Sequence, residues 1–328
     1  MKRPLLPRYF QILNEERNAR YLDCKQIPVV FNKNASTDSL WMLHNKTIKT
    51  PIVKNTKHSQ TLLDLKIELA SRLYTSCCFC ERQCMVDRRT QKGECGVQHA
   101  RIASEFLHYG EESLLVPSYT IFFSGCTLHC VFCQNWDISQ HQDGVEVKPA
   151  DLSLFIEKRK NQGAKNVNWV GGDPTSNLLY ILMVLNECTS NLPQIWNSNM
   201  YCSTETINLL DGIIDVYLTD FKYGNDTCAH RLSKVENYSA VIQRNHALAY
   251  KQGEVIIRHL VMPNHTNCCS TPILYWIKQH MPDAAVNIMA QYRPEYQASI
   301  YDDINRPVSK EELLQIKKEF EHLQLHEV

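Results

Sequence analysis

Cys126, Cys130 and Cys133 are the residues with the plainest capacity for chemistry. They lie in the run Cys126-Thr-Leu-His-Cys130-Val-Phe-Cys133, directly after the apolar stretch Ile121-Phe-Phe-Ser-Gly125. Ligands must converge within about 2 to 2.5 Å of an ion or cluster, and short loops place sulfurs there at little entropic cost. Three thiolates can bind three irons of a [4Fe-4S] cubane and leave the fourth iron open to a ligand that is not protein. On ligand type alone, the alternative is a zinc knuckle completed by His129 or His141.

A second group, Cys77, Cys80, Cys84 and Cys95 with Cys78 as a spare, offers a full set of four ligands. Four closed thiolates suit structural zinc or a second, electron-relaying iron-sulfur cluster. Arg82, Arg88 and Arg89 beside it would raise a cluster potential, meet an acidic partner, or simply lie solvated on the surface. Further polar stretches fall at the C-terminal ends of expected strands, where barrel-type α/β enzymes assemble their sites. These are Gly171-Gly172-Asp173-Pro174, Asn197-Ser198-Asn199, Asp220-Phe221-Lys222 and Gln291-Tyr292-Arg293. Alternation points Asp220 and Lys222 the same way. Arg258 lies within an expected strand, and a buried guanidinium needs an anion: a ligand's carboxylate, a site carboxylate or a structural partner. The loops after the third to fifth strands hold Cys202, Cys228 with His230, and His265 with Cys268 and Cys269. They read either as inert buried thiols or as a radical-relay thiol or further metal site on the active face.

The elements that must position these residues are legible as six short β-branched or aromatic runs: Thr120–Ser124, Val167–Val170, Gln194–Trp196, Val216–Thr219, Val255–Val261 and Val286–Ala290. Segments such as Leu152–Gln162, Leu178–Glu187 and Ile273–His280 have crossover-helix length, so the sheet is expected to be parallel and the fold α/β, curved or barrel-like. Leu62, Leu65, Leu69 and Leu73 recur at helical spacing; Ser309 with Glu312 caps a last helix, which Leu313, Leu314, Ile316 and Phe320 would dock. The expected division is an N-terminal cover at 1–75, a Cys-rich module at 76–100, a core at 101–305 and a C-terminal helix at 306–328. Lys+Arg and Asp+Glu both count 35, so no charge field would gather nucleic acid or an anionic membrane. Two prolines and Arg8 interrupt any secretory segment, and Leu178–Leu185 falls far short of the roughly 20 apolar residues that a bilayer requires. A soluble cytoplasmic protein is expected, with its 14 cysteines reduced and available to metal.

On these residues the chain resembles the radical S-adenosylmethionine (SAM) superfamily. From about Ser118 to Pro294 it resembles the glycyl-radical-enzyme activases, the family of pyruvate formate-lyase activating enzyme, in its PflX-like branch. The resemblance is carried by the C-x3-C-x2-C spacing with Phe132, by Cys133-Gln-Asn135-Trp-Asp-Ile-Ser139, and by Gly-Gly-Asp-Pro, similar to a Gly-Gly-Glu-Pro motif. It is carried also by Asp215-Val-Tyr-Leu-Thr-Asp-Phe-Lys-Tyr223 and by the segment Cys77-Cys-Phe-Cys80-Glu-Arg-Gln-Cys84-Met-Val-Asp87-Arg88 with Gly93-Glu-Cys95-Gly96. It implies a partial (β/α)6 barrel of radical SAM type with an N-terminal Cys-rich extension, and a [4Fe-4S] cluster whose open iron takes the SAM amino and carboxylate groups. An electron donor such as flavodoxin or ferredoxin, SAM cleavage to a 5'-deoxyadenosyl radical, and hydrogen abstraction from a peptide or protein substrate follow from the resemblance. For true activases that substrate is a glycine Cα. SAM contacts are implied at Phe132, Asn135, Gly171, Gly172, Asp173, Ser198, Asn199, Asp220, Lys222, Arg258 and Arg293. The chain departs from the pattern at Asn197-Ser-Asn-Met200, where the activase has Asp-Thr-Asn-Gly and uses the aspartate for a monovalent cation. It departs again at Arg293, where a histidine contacts SAM. Modification of a small molecule or peptide without a glycyl-radical partner, and a non-catalytic zinc scaffold, are the other readings.

Overall fold

The computed structural model describes residues 5–50 and 59–328. Residues 1–4, part of the start read for a secretory segment, and 51–58, part of the expected 1–75 cover, lie outside the described residues.

A single sheet runs in sequence order through β1 (Ile102–His108), β2 (Ser118–Phe123), β3 (Asn166–Gly171), β4 (Gln194–Ser198), β5 (Val216–Asp220), β6 (Glu254–Leu260), β7 (Ala285–Met289) and β8 (His326–Glu327). β2 through β8 pair in parallel, and β1 pairs antiparallel to β2. Helices including Pro149–Asn161, Leu178–Glu187, Tyr238–Gln252 and Thr271–His280 make the crossovers that parallel pairing demands. The six expected strands are β2 to β7. β1 escapes a sequence reading because Ser104, Glu105 and His108 leave it only half-buried, and β8 is two residues long.

Strand alternation divides the apolar side chains between two faces. Tyr119, Ile121, Phe123, Val167, Trp169, Trp196, Tyr217 and Ile257 join the core beneath the helices. Ile195, Val216, Leu218, Ile256 and Ala285 form a separate cluster with Leu6, Tyr9 and Leu115. That cluster lies toward the N-terminal ends of the strands, and helix Pro7–Leu13 closes it like a floor. The Glu254 carboxylate accepts the Arg8 and Tyr9 backbone N–H groups at 2.8 Å each, and Asn166 Nδ2 donates to the Tyr9 hydroxyl at 2.9 Å. Beyond this floor, polar residues of the same strands, Asn197, Asp220 and Arg258, face the opposite, C-terminal mouth.

Helix Leu62–Thr75 starts in a reciprocal Thr61–Asp64 cap and packs on Leu178–Glu187. Residues 76–100 form no helix or strand. Helix Lys310–His322 has the expected Ser309–Glu312 cap, and Ile316 and Phe320 are buried with Leu313 packed beside them. Leu314 instead faces solvent, which corrects its expected docking: it sits about 100° around the helix from Leu313, off the 313–316–320 stripe. Among the described residues no helix is long and apolar enough to cross a membrane.

Tyr9→Ala should open the barrel floor and cost about 3–5 kcal/mol, the range for a large buried aromatic truncated to alanine. The check is a urea titration, in which the midpoint should fall with little change in slope.

Candidate active site

A cleft of about 540 Å³ opens at the C-terminal ends of β2 to β7, and Cys126, Cys130 and Cys133 face into it. The loop that carries them is pressed against the Cys-rich module. Gly125, with φ +85, admits the Cys-rich module so closely that a Cβ there would lie 2.7 Å from the Cys95 carbonyl oxygen. Each sulfur has its own hydrogen-bonding neighbour. Asn199 Nδ2 reaches Cys126 Sγ at 3.5 Å, Ser233 Oγ lies 2.9 Å from Cys130 Sγ, and Ser139 Oγ lies 3.2 Å from Cys133 Sγ. Burial pushes the Cys130 thiol up to about 11, against the pull of the Lys222 ammonium. Such a sulfur becomes a thiolate when a metal replaces its proton.

The donor set fits a cluster better than a single ion. Among the described residues, only one group brings three or more ligand atoms within 4.8 Å of one another, and it does not include Cys126, Cys130 or Cys133. A mononuclear tetrahedral ion would need closer convergence, whereas a cubane spreads its irons over separate corners. Neither histidine completes a zinc knuckle here: His129 Nδ1 is bonded to Gln140 Oε1 at 2.9 Å, and His141 packs edge-on against Trp136.

Of the SAM-contact residues expected from sequence, Phe132, Asn135, Gly171, Gly172, Ser198, Asn199, Asp220, Lys222 and Arg258 line this cleft. Lys222 Nζ meets Asp220 Oδ2 at 2.6 Å. Burial opposes the Lys222 charge, but Asp220 and the Cys130 sulfur raise its pKa. Asp173 does not line the cleft. Its carboxylate ties the β3 loop to the β4 loop, accepting from Thr175 N at 2.9 Å, Ser198 Oγ at 2.8 Å and Asn199 N at 2.9 Å. Aspartate is one methylene shorter than the glutamate of the resembled motif, and here Gly171 and Gly172, not Asp173, line the cleft. Arg293 points away, two-thirds exposed and 3.9 Å from Glu295.

Sequence reasoning did not find the partner of Arg258. Glu111 and Glu112, in the loop between β1 and β2, both reach it: Arg258 Nε donates to Glu112 Oε1 at 2.7 Å, and Nη2 also bonds Glu111. Asn168 donates to Glu111 at 3.0 Å and Asn287 to Glu112 at 2.9 Å. The signal available was the requirement that a strand-borne arginine find a carboxylate, together with an adjacent acidic pair just before the first barrel strand. Burial works against ionising Glu112, yet Arg258 and Asn287 hold its carboxyl below the ordinary glutamate value.

Cys77, Cys80, Cys84 and Cys95 also gather. Burial together with the Cys95, Cys77 and Cys84 sulfurs pushes the Cys80 thiol well up, and a Cβ on Gly93 would lie 3.5 and 3.6 Å from the Cys95 and Cys84 sulfurs. Arg88 is 1% exposed, forms no ion pair with a carboxylate among the described residues, and reaches Cys77 Sγ at 3.6 Å. Arg82 fastens this module to the core, donating to Thr127 O at 2.7 Å and Lys234 O at 2.9 Å. Arg89 pairs at the surface with Asp87. Of the loop cysteines and histidines, Cys228, His265, Cys268 and Cys269 come together. Cys202 lies elsewhere, bridging through its backbone to Cys80, and His230 faces Glu236.

A family model described as the radical SAM superfamily matches residues 120–269. A relative in Methanocaldococcus jannaschii, named uncharacterized protein MJ0674, is 46% identical over 321 residues and covers 94% of each chain. Streptococcus suis SuiB bound to S-adenosylmethionine superposes with TM-score 0.47 at 13% identity, over 62% of this chain and 47% of that one, so the chain spans under half of SuiB's length. Methylornithine synthase (PylB) superposes with TM-score 0.46 at 13% identity, over 97% and 77% of the two chains.

Glu112→Gln should destabilise the protein by about 3 kcal/mol, because Arg258 stays buried with one carboxylate removed. The pair's contribution is complete above the ordinary glutamate range and is lost as pH falls through the depressed folded pKa. Urea midpoints measured from neutral to acid pH should therefore converge for wild type and variant at the acid end.

Proposed function

The chain belongs to the radical SAM superfamily, and from that premise we propose that it reductively cleaves SAM and abstracts a hydrogen atom from a peptide or protein substrate. The observation that carries this reading is the cleft itself. Three separately supported sulfurs open into it opposite the Gly171-Gly172 backbone, Ser198, Asn199, Asp220, Lys222 and Arg258. When bound at Cys126, Cys130 and Cys133, a [4Fe-4S] cluster and SAM supply the electron and the 5'-deoxyadenosyl radical.

The chain's own residues bind, orient and exclude. Ser233, Ser139 and Asn199 steady the three sulfurs, and Lys222 places a positive charge beside Cys130. Asn199 and Ser198, fixed from behind by Asp173, stand where they can meet the amino and carboxylate groups of SAM. The Arg258–Glu111–Glu112 network gives the interior a polar wall, and the Leu6–Tyr9–Leu115 cluster packs the far end. A polypeptide substrate is supported by the stacked Trp136 and Tyr296 at the surface beside Asn135, their rings 5.5 Å apart and each 39% exposed. The activase-like motifs support a glycine Cα in a partner enzyme as the finer assignment.

Cys77, Cys80, Cys84 and Cys95 hold a second iron-sulfur cluster in this reading. No three of their sulfurs lie within 4.8 Å of one another, and buried Arg88 supplies a positive charge that four thiolates would balance. The module touches Gly125 and Thr127, so it suits an electron relay from a flavodoxin or ferredoxin to the core. With all 14 cysteines free of disulfides, a reducing cytoplasmic setting fits.

Anaerobic purification should give roughly eight irons per chain, with Cys80→Ser leaving about four, as expected for two cubanes. With dithionite and SAM the protein should form 5'-deoxyadenosine, and Cys126→Ala should abolish it. A colourless protein that contains zinc alone and yields no deoxyadenosine overturns the proposal.

A further inference from the structure

We propose that Cys228, His265, Cys268 and Cys269 form a closed Cys3His site for a single zinc ion, distinct from both cluster-binding sets. Their ligand atoms all lie within 4.8 Å of one another. Bond lengths of about 2.3 Å to sulfur and 2.05 Å to nitrogen put tetrahedral edges at about 3.8 Å for two sulfurs and about 3.6 Å for sulfur and nitrogen. The sulfurs of Cys268 stand 4.0 Å from Cys228 and 3.9 Å from Cys269. His265 Nδ1 stands 3.5 Å from Cys228, 3.4 Å from Cys268 and 3.7 Å from Cys269. Sulfurs so placed are too far apart for a disulfide, which needs about 2.05 Å, and too close for the corners of a cubane. Three soft thiolates and one imidazole select zinc among common divalent ions.

The surrounding residues are arranged as a metal site requires. His265 Nε2 lies 3.0 Å from Asp303 Oδ2, and a proton donated there leaves Nδ1 a free lone pair for the ion. Asp303 is held in turn by Arg231, whose Nη1 donates to Oδ1 at 3.0 Å. The ligands come from two segments that sequence places far apart: Cys228 in the first turn of helix Asp226–Ser233, after β5, and the others in and just before a single π-helical turn, Thr266–Ser270, after β6. Asn225 stitches the segments together, accepting from Cys228 N at 2.8 Å and donating to Cys268 O at 2.9 Å. Gly224 allows that approach, since a Cβ there would lie 2.7 Å from the Cys268 carbonyl oxygen.

The ion would also fix one support of the cluster loop. Helix Asp226–Ser233 begins at this site and ends at Ser233, whose hydroxyl lies 2.9 Å from Cys130 Sγ. Zinc at the first turn therefore anchors the helix that steadies a core sulfur at its last turn.

Elemental analysis and zinc X-ray absorption on the full chain, after anaerobic iron-sulfur reconstitution, test the assignment. Wild type should hold about one zinc with three sulfurs and one nitrogen around it. Cys268→Ala should lower zinc content at least tenfold with iron retained, while Cys80→Ser should lose iron and keep zinc. His265→Cys should retain zinc in a four-sulfur shell, and Asp303→Asn should weaken zinc binding roughly 10- to 100-fold. Zinc absent from wild type, zinc or iron in a different shell, or zinc that survives Cys268→Ala and leaves with Cys80→Ser overturns the proposal. Should a variant fail to fold, the wild-type coordination shell decides alone.

Discussion

The arrangement depends on holding three sulfurs, two of them buried, so that they can carry negative charge without a fourth protein ligand closing over them. Burial pushes the Cys126 and Cys130 thiols toward their protonated form, so charge there must come from a metal and be matched by the surroundings. The chain meets this by giving each sulfur a separate neighbour: Asn199 from the β4 loop, Ser233 from the helix after β5, and Ser139 from the cluster loop itself. Lys222 adds a positive charge, which Asp220 stabilises in place. Because the supports come from different loops, the site exists only when the whole sheet is assembled.

The sheet supports that site by an axial division of labour. Apolar residues fill the N-terminal half of the interior, with Tyr9 inserted from outside the barrel, and polar residues occupy the half nearer the mouth. The Arg258 network lies where the two halves meet. It satisfies a guanidinium on β6 with carboxylates from the loop before β2, and it binds Asn168 of β3 and Asn287 of β7 into the same set. A buried network of this kind contributes little net stability, but it strongly disfavours any arrangement in which one member is left unpaired. It thus fixes which strands stand opposite one another around the cleft.

Sequence made the outline legible where a residue type answers to local physics. β2 to β5 are β-branched and aromatic runs buried on both faces, so their identity is written in consecutive residues. β1 alternates too weakly to read, since one of its faces is solvated. The core cysteines were legible because eight consecutive residues, Cys126 to Cys133, place three ligands. Asp173 bonds the β4 loop and Arg293 lies near Glu295 because a motif fixes backbone position, whereas the length and direction of the side chain decide what it touches. Glu111 and Glu112 could be required but not located: a buried arginine demands a carboxylate and says nothing of which loop will bring it.

The spacing between sulfurs then carries information that cysteine counts do not. Two of the three cysteine sets bring no three ligand atoms within 4.8 Å of one another, and one draws three sulfurs and a ring nitrogen to tetrahedral edge lengths. Short loops such as Cys77–Cys84 and Cys126–Cys133 can be read in sequence as metal-binding, yet either zinc or a cluster satisfies their ligand types. The tight set is the reverse case. Cys228 is 37 residues from His265, so no motif joins them, while the geometry they adopt is the most restrictive of the three. Ligand chemistry is therefore fixed by the folded distance between donors, and that distance is set here by Asn225 and Gly224 bringing two loops together.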